Sequence, residues 1–386
     1  MPGSHIDSSS TQPRPDDHHD DGDLEEVALF RHLPSLRGRL PWARVGRWPT
    51  PIEPLVGVVD DPARALYVKR EDLSHPGYGG NKIRTLEPVL GRVLHQGARE
   101  LWATGAYGSN HALAAVIHGR AAGLTTGAAL FPQPHSDAAC ANVSALLAAR
   151  PQLVILPTVV LLPMAMAWLR RRPDSVVMAP GAASPRGALG ALSAALELAE
   201  QVAAGVCPAP AQVVLAVGST CTTAGLLAGL HLAAQLGLAF DRVIPRVIAV
   251  RVTPWPITSA ARIVHLAWRT GRLLARLVPG LRPPSALALH ASLGVDGRFL
   301  GPGYGHPTAA GARAARAFRA AGGPPIDVVY AAKAGAALLE LARAPGPGPV
   351  LFWATKSSAP LARAQASERL AAPARLQAWL ASCPTS

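Results

Sequence analysis

At 386 residues, with 49% hydrophobic and 16% charged side chains, the chain can bury two packed lobes and is too apolar to be disordered along its length. Its formal net charge of +13 raises nucleic acid as a partner. The basic residues are mainly arginines scattered through alanine-rich stretches, and 5% aromatics offer little to stack on bases, so nucleic-acid binding is not expected and the excess fits an anionic cofactor or substrate.

The opening MPGSHIDSSSTQPRPDDHHDDGD lacks the charged-then-apolar pattern of a signal peptide. Residues 1–40 read as a largely disordered, polar tail in which His18 and His19 are solvated, and no metal is expected. Pro49, Pro51 and Pro54 then forbid a continuous helix over Trp42 to Val59. Ala65 to Lys69 follows as a strand. Asn81 to Gly97 reads as a helix from its apolar spacing at Ile83, Leu86, Leu90 and Leu94.

From there the pattern repeats: an apolar run, a Gly or polar break, an Ala/Leu-rich helix. Leu101 to Thr104 leads into a helix at His111 to Ala122, and Gly127 to Phe131 into one near Ser136 to Arg150. Leu153 to Leu169, followed by three arginines, has the look of a membrane anchor. Pro157 and Pro163 interrupt it, and the remaining pieces are too short for ~30 Å of hydrocarbon, so a buried strand and a buried helix are expected and no membrane association. Strands at Val176 to Ala179, Val213 to Val217, Val247 to Val252 and Val350 to Trp353 continue the series, and residues 377–386 read as a C-terminal tail. Strands without polar alternation, separated by helices, belong to parallel sheets in an α/β architecture, where ligands sit beyond the carboxyl ends of strands. Cys140, Cys207, Cys221 and Cys383 show neither paired spacing nor a histidine cluster, so neither a disulfide nor a metal site is indicated and a reducing cytosol fits best.

Two stretches carry chemistry. Gly218-Ser219-Thr220-Cys221-Thr222-Thr223-Ala224-Gly225 follows a strand and opens a helix, where free N–H groups and the helix dipole favour a phosphate. It has neither the lysine of a Walker A loop nor G-x-G-x-x-G spacing, which favours a monophosphate over a nucleotide. Lys82 follows Tyr78-Gly79-Gly80-Asn81 and meets no acid until Glu87, a setting that can desolvate an amine. It is one of only four lysines. Lys69, in Lys69-Arg70-Glu71-Asp72, reads instead as part of a structural ion pair. An imine-forming lysine plus a phosphate cradle suggests pyridoxal 5'-phosphate as cofactor.

Lys69-Arg70-Glu71-Asp72-Leu73, Tyr78 to Arg84 and Gly108-Ser109-Asn110-His111 together resemble the D-cysteine desulfhydrase and 1-aminocyclopropane-1-carboxylate deaminase family of fold type II pyridoxal-phosphate enzymes. The likeness continues through Ala182 to Gly190, Gly301 to Gly305, Asp327 to Lys333 and Leu351 to Pro360. The resemblance implies a two-lobed α/β fold, each lobe an open, mostly parallel sheet flanked by helices. It places a large cofactor-binding domain at residues 41–95 and 179–376 and a small one at 96–178. It also implies a homodimer.

Residue by residue, it makes Lys82 the Schiff-base lysine and α-proton shuttle, with Asn81 beside it. It sets Asn110 against the cofactor's phenolic oxygen, and Ser109 at a position that contacts the substrate carboxylate or relays a proton. Gly218, Ser219, Thr220, Cys221 and Thr222 become the phosphate cradle, Tyr304 and Tyr330 the active-site tyrosines, and Thr355 the hydroxyl facing the pyridine nitrogen. Thr85 stands where many relatives carry a second lysine, Ala331 where the deaminases carry an acid, and Ala354-Thr355-Lys356-Ser357-Ser358 where His-Thr-Gly-Gly is usual. Opening of the aminocyclopropane ring is therefore disfavoured. The expected activity is β-elimination from a small amino acid, D-cysteine for preference, to keto acid and ammonia. A β-replacement synthase and a non-catalytic cofactor-binding relative stay open as alternatives.

Overall fold

The structure, a computed structural model, describes residues 21–383. The His18 and His19 reading therefore lies outside the described residues. Among these residues, ten strands form two sheets. β1 (Ile52–Pro54) and β2 (Leu66–Lys69) begin the larger one; β3 (Glu100–Ala106), β4 (Thr125–Phe131), β5 (Gln152–Ile155) and β6 (Ser175–Val177) make up the smaller. β7 (Gln212–Val217), β8 (Arg246–Arg251), β9 (Leu293–Asp296) and β10 (Val350–Trp353) complete the larger sheet, in the order β1-β2-β10-β7-β8-β9. The smaller runs β5-β4-β3-β6. Every neighbouring pair is parallel except β1 with β2.

A short α1 (Ala28–His32) precedes the sheets, and α2 (Lys82–His95) follows β2. α3 (Asn110–Ala121), α4 (Asp137–Ala148) and α5 (Leu162–Leu169) alternate with the strands of the smaller sheet. α6 (Pro185–Ala203), α7 (Cys221–Gln235), α8 (Ala260–Leu277) and α9 (Ala286–Ala291) lie in the larger lobe, as do α10 (Ala309–Ala320) and α11 (Ala331–Arg343); α12 (Ala366–Leu370) and α13 (Ala374–Ala381) end the chain. β7 shows why its sequence lacks alternation. Val213, Leu215 and Val217 pack into the cluster built with α6, α7 and α8, while Val214 packs on the opposite side with Ala314, Phe318 and Leu338 of α10 and α11.

Four sequence-based expectations are corrected. Residues 27–40 are not tail: Leu29, Phe30, Leu36 and Leu40 are fully buried, because this segment covers the outer face of α6. Residues 377–381 belong to α13, where Leu380 and Trp379 join the core of the smaller lobe. Cys140 and Cys383 form a disulfide with Cα atoms 5.9 Å apart; their separation of 243 residues leaves no spacing signal to read. The apolar run at 153–169 does form a strand and a helix, but β5 is an edge strand and α5 covers one face of the sheet with its other side turned outward. Val160, Met164 and Trp168 are exposed and only Leu162 and Leu169 of α5 are buried. No helix of the described residues is long and apolar enough to cross a membrane.

The lobe is cross-braced by buried charge. Lys69 of β2 donates to Glu197 of α6 (2.5 Å), the Thr50 carbonyl (2.8 Å) and Gln201 (2.6 Å). Arg84 of α2 bonds Glu71 (2.8 Å) and Glu197 (2.9 Å), and its guanidinium lies 3.4 Å from the ring centre of Trp48. The expected Lys69 ion pair is therefore made, with a distant carboxylate rather than its sequence neighbours. Burial alone would raise the Glu197 carboxyl, but Arg84 and Lys69 outweigh it and hold the group well below the ordinary carboxylate range.

Breaking a buried pair strands the remaining charge at a cost of about 3–5 kcal/mol. Glu197→Gln is expected to lower unfolding stability by that order in urea titration, whereas Glu200→Ala, in the half-exposed pair with Arg31 on the same helix, costs under about 1 kcal/mol. Because the folded-state pKa is depressed, the Glu197 contribution is present at neutral pH, above the unfolded carboxylate's pKa. It is lost only as pH falls through the depressed value, so the wild-type and Glu197→Gln stabilities should converge toward strong acid.

Candidate active site

A cavity of about 320 Å³ opens beyond the carboxyl ends of β3, β7 and β10. Its lining takes Lys82 and Asn81 from the start of α2, Ser109 and Asn110 from the turn between β3 and α3, and residues 218–222 from the turn between β7 and α7. Tyr304, Tyr330, Thr355 and Lys356 come from later turns. All twelve residues nominated from the sequence thus meet in one cavity.

Lys82 is the first residue of α2, and the backbone that delivers it is tightly held. Gly80 adopts φ +90°, and a Cβ there would stand 2.7 Å from the Thr355 carbonyl oxygen. The Asn81 N–H donates to that same carbonyl (3.1 Å), and Asn81 Nδ2 donates to Thr222 Oγ1 (2.8 Å), joining the lysine turn to the β7–α7 turn. Among the described residues Lys82 makes no hydrogen bond or ion pair. Burial lowers its pKa, opposed by the nearby Cys221, which favours a neutral, nucleophilic amine.

The β7–α7 turn forms an anion cradle. Thr220 is left-handed at φ 70° as it enters α7, and the first backbone bond of the helix is donated by Ala224 to Thr220, so the N–H groups before it have no helical acceptor. Gly181 (φ +64°) packs against this turn; a Cβ there would fall 2.0 Å from Ser219 Oγ. Burial raises the Cys221 thiol, which donates to the Ala182 carbonyl (3.4 Å), so its place at a helix N-terminus does not make it a thiolate.

Asn110 Oδ1 accepts from Asn142 Nδ2 (2.7 Å) and from the Tyr78 hydroxyl (3.2 Å), which orients the amide and leaves its NH₂ as the group free to donate. Ser109 caps α3, its hydroxyl accepting from the Ala112 N–H (3.2 Å). Tyr330 donates to the Tyr304 hydroxyl (2.8 Å), which donates on to Gln133 (3.4 Å), the two tyrosine rings meeting edge-on. Burial raises both phenols, so both keep their protons. Asp327 accepts from the N–H groups of Val329, Tyr330 and Ala331, fixing Tyr330 at the start of α11.

His111 also lines the cavity. It is buried, and neither ring nitrogen has a partner among the described residues; burial, reinforced by Lys82, pushes its pKa down to about 3. Its position directly after Asn110 in the Gly108-Ser109-Asn110-His111 string was the only available signal. Orphaned buried nitrogens, a desolvated amine, an anion cradle and an oriented amide are the donor set that a phosphorylated aldehyde such as pyridoxal phosphate requires.

Comparison with known proteins agrees. Residues 43–356 match the family described as pyridoxal-phosphate dependent enzymes. The chain is 34% identical over 330 residues to the nocardicin C-9' epimerase of Nocardia uniformis subsp. tsuyamanensis, covering 83% of this chain and 94% of that protein. It is 30% identical over 318 residues to the D-cysteine desulfhydrase of Salmonella paratyphi C, covering 79% and 90%. A crystal structure of an ACC deaminase homologue superposes with a TM-score of 0.69 at 26% identity, covering 86% of this chain and 95% of that one. The chain belongs to the pyridoxal-phosphate dependent enzymes, within the group that includes the D-cysteine desulfhydrases and ACC deaminase homologues.

Proposed function

We propose that this cavity removes the α-proton of a small amino acid and expels its β-substituent, releasing keto acid and ammonia in the manner of a D-cysteine desulfhydrase. The observation that carries this reading is the desolvated Lys82 amine, free of any carboxylate, facing the same cavity as the Tyr304–Tyr330 pair. Bound here, pyridoxal phosphate supplies an aldehyde for imine formation and an electron sink for the α-carbon. Lys82 would hold the aldehyde carbon, Gly218 to Thr222 the phosphate, the Asn110 amide the phenolic oxygen, and the Thr355 hydroxyl the ring nitrogen.

The protein's own groups divide the remaining work. Lys82 takes the proton at the substrate α-carbon, acting as a base because burial keeps it neutral. Ser109 and Lys356, both lining the cavity, meet the substrate carboxylate. Tyr330, held by Asp327 and hydrogen-bonded to Tyr304, supplies a proton to the departing group. Ala331 leaves no acid after Tyr330, which sets the site apart from ring-opening chemistry. A homodimer in the cytosol completes the proposal.

The 34% identity to an epimerase favours a second reading. In it Lys82 removes the α-proton and Tyr330 returns one from the other side. Cysteine separates the two, offered as each enantiomer in D₂O, because its thiol leaves poorly unless a group supplies a proton. The elimination reading expects stoichiometric pyruvate with no added thiol or amine acceptor; the epimerase reading expects deuterium at the α-carbon with inversion and little pyruvate. Acceptor-dependent turnover sinks both in favour of β-replacement. Tyr330→Phe is expected to lower kcat by about 10²–10⁴-fold through loss of one proton-transfer group, with the cofactor's visible absorbance unchanged.

A further inference from the structure

A second cavity, of about 580 Å³, lies behind the catalytic one, where the last turns of α2 meet β6, the first turn of α6, and α8. The two share a wall. Pro180 and Gly181 line the catalytic cavity, whereas Ala179 and Ala182 of the same loop line the second.

The lining of this rear cavity is electrically one-sided. It contains Arg92 from α2, Arg170 from the end of α5 and Arg186 from the first turn of α6, and it contains no Asp or Glu. The amino end of α6 points its partial positive charge into the same space. Arg186 has no ion-pair partner among the described residues, and burial together with Arg92 lowers its pKa, which measures how poorly its charge is compensated. Arg186 Nη1 and Ser175 Oγ are both buried with no hydrogen-bond partner. Both residues line the cavity, so its wall carries unmet hydrogen-bonding capacity beside the three arginines. Guanidinium groups match tetrahedral and planar oxyanions through paired N–H bonds, and a hydroxyl adds a further donor.

We propose that this rear cleft is a binding site for a small phosphate-type oxyanion, inorganic phosphate or the phosphate of a small monoester, held by Arg92, Arg170 and Arg186. It is separate from the cofactor's phosphate cradle and does not depend on which reaction the catalytic cavity performs. The wall it shares with that cavity ends at Ala182, whose carbonyl accepts from Cys221 at the start of the cradle.

Calorimetric titration of the cofactor-loaded enzyme at constant ionic strength tests this, because the bound cofactor occupies the cradle and removes it as a competing phosphate site. Inorganic phosphate and glycerol phosphate are titrated in parallel, and the tighter one identifies the source that the cleft suits. The expected result is one saturable site, weakened at least tenfold in both Arg186→Gln and Arg92→Gln. Arg171→Gln, exposed and outside the cleft, should leave it unchanged. Arg92 is exposed, so its variant should fold even if the Arg186 variant does not, and the cofactor's visible absorbance reports folding in each. No saturable binding of either anion, or equal affinity in wild type and the Arg92 and Arg186 variants, overturns the proposal.

Discussion

The buried charge cluster of Lys69, Glu197, Arg84 and Glu71 is the constraint on which the site depends. It joins β2, the turn after it, α2 and α6, and Arg84 stands two residues beyond Lys82 on the same helix. Isolated, any of these charges would be costly to bury; together, with Thr50 and Gln201 taking further bonds, they compensate one another, Glu197 through its Oε1 atom. Glu87, one face further along α2, accepts from Trp42, Trp48 and the backbone of Val45 and Gly46, so the N-terminal segment is clamped to the same helix. A helix held at so many points can present its first residue to a cavity without spending a charge partner on it. That is why Lys82 can be left desolvated while Lys69, thirteen positions earlier in sequence, is fully neutralised.

The order of elements and the nature of the sheets were legible because continuous apolar runs such as Val213 to Val217 occur only where both faces are covered. Lys82 and the 218–222 turn were legible from local chemistry, the one by its glycine-preceded turn and the other by its place between strand and helix. The roles given to Asn110, Tyr304, Tyr330 and Thr355 needed the family resemblance, since a lone tyrosine or threonine carries no signal of its own. What escaped was long-range. The Cys140–Cys383 bond, the Lys69–Glu197 pair and the burial of residues 27–40 against α6 are each set by contacts more than a hundred residues apart. The exposure of α5 escaped for a related reason, because an apolar run does not announce that its helix is covered on one side only.

Thr85, which stands where many relatives carry a second lysine, is fully buried beside Cys221 of the cradle. Lys356 is drawn into the cavity because its backbone pairs with Gly80, directly before the Lys82 turn. A cation so placed offers a substrate carboxylate a partner. The neutral, unpartnered His111 adds a hydrogen-bonding group that neither charge nor pH near neutrality will alter.

The central claim is that Lys82, of the four lysines in the chain, is the amine that carries the cofactor. Borohydride reduction of the cofactor-loaded protein followed by peptide mass mapping measures this directly. A single pyridoxyl label on Lys82 is expected; a label on Lys356, the other lysine in the cavity, would overturn the assignment.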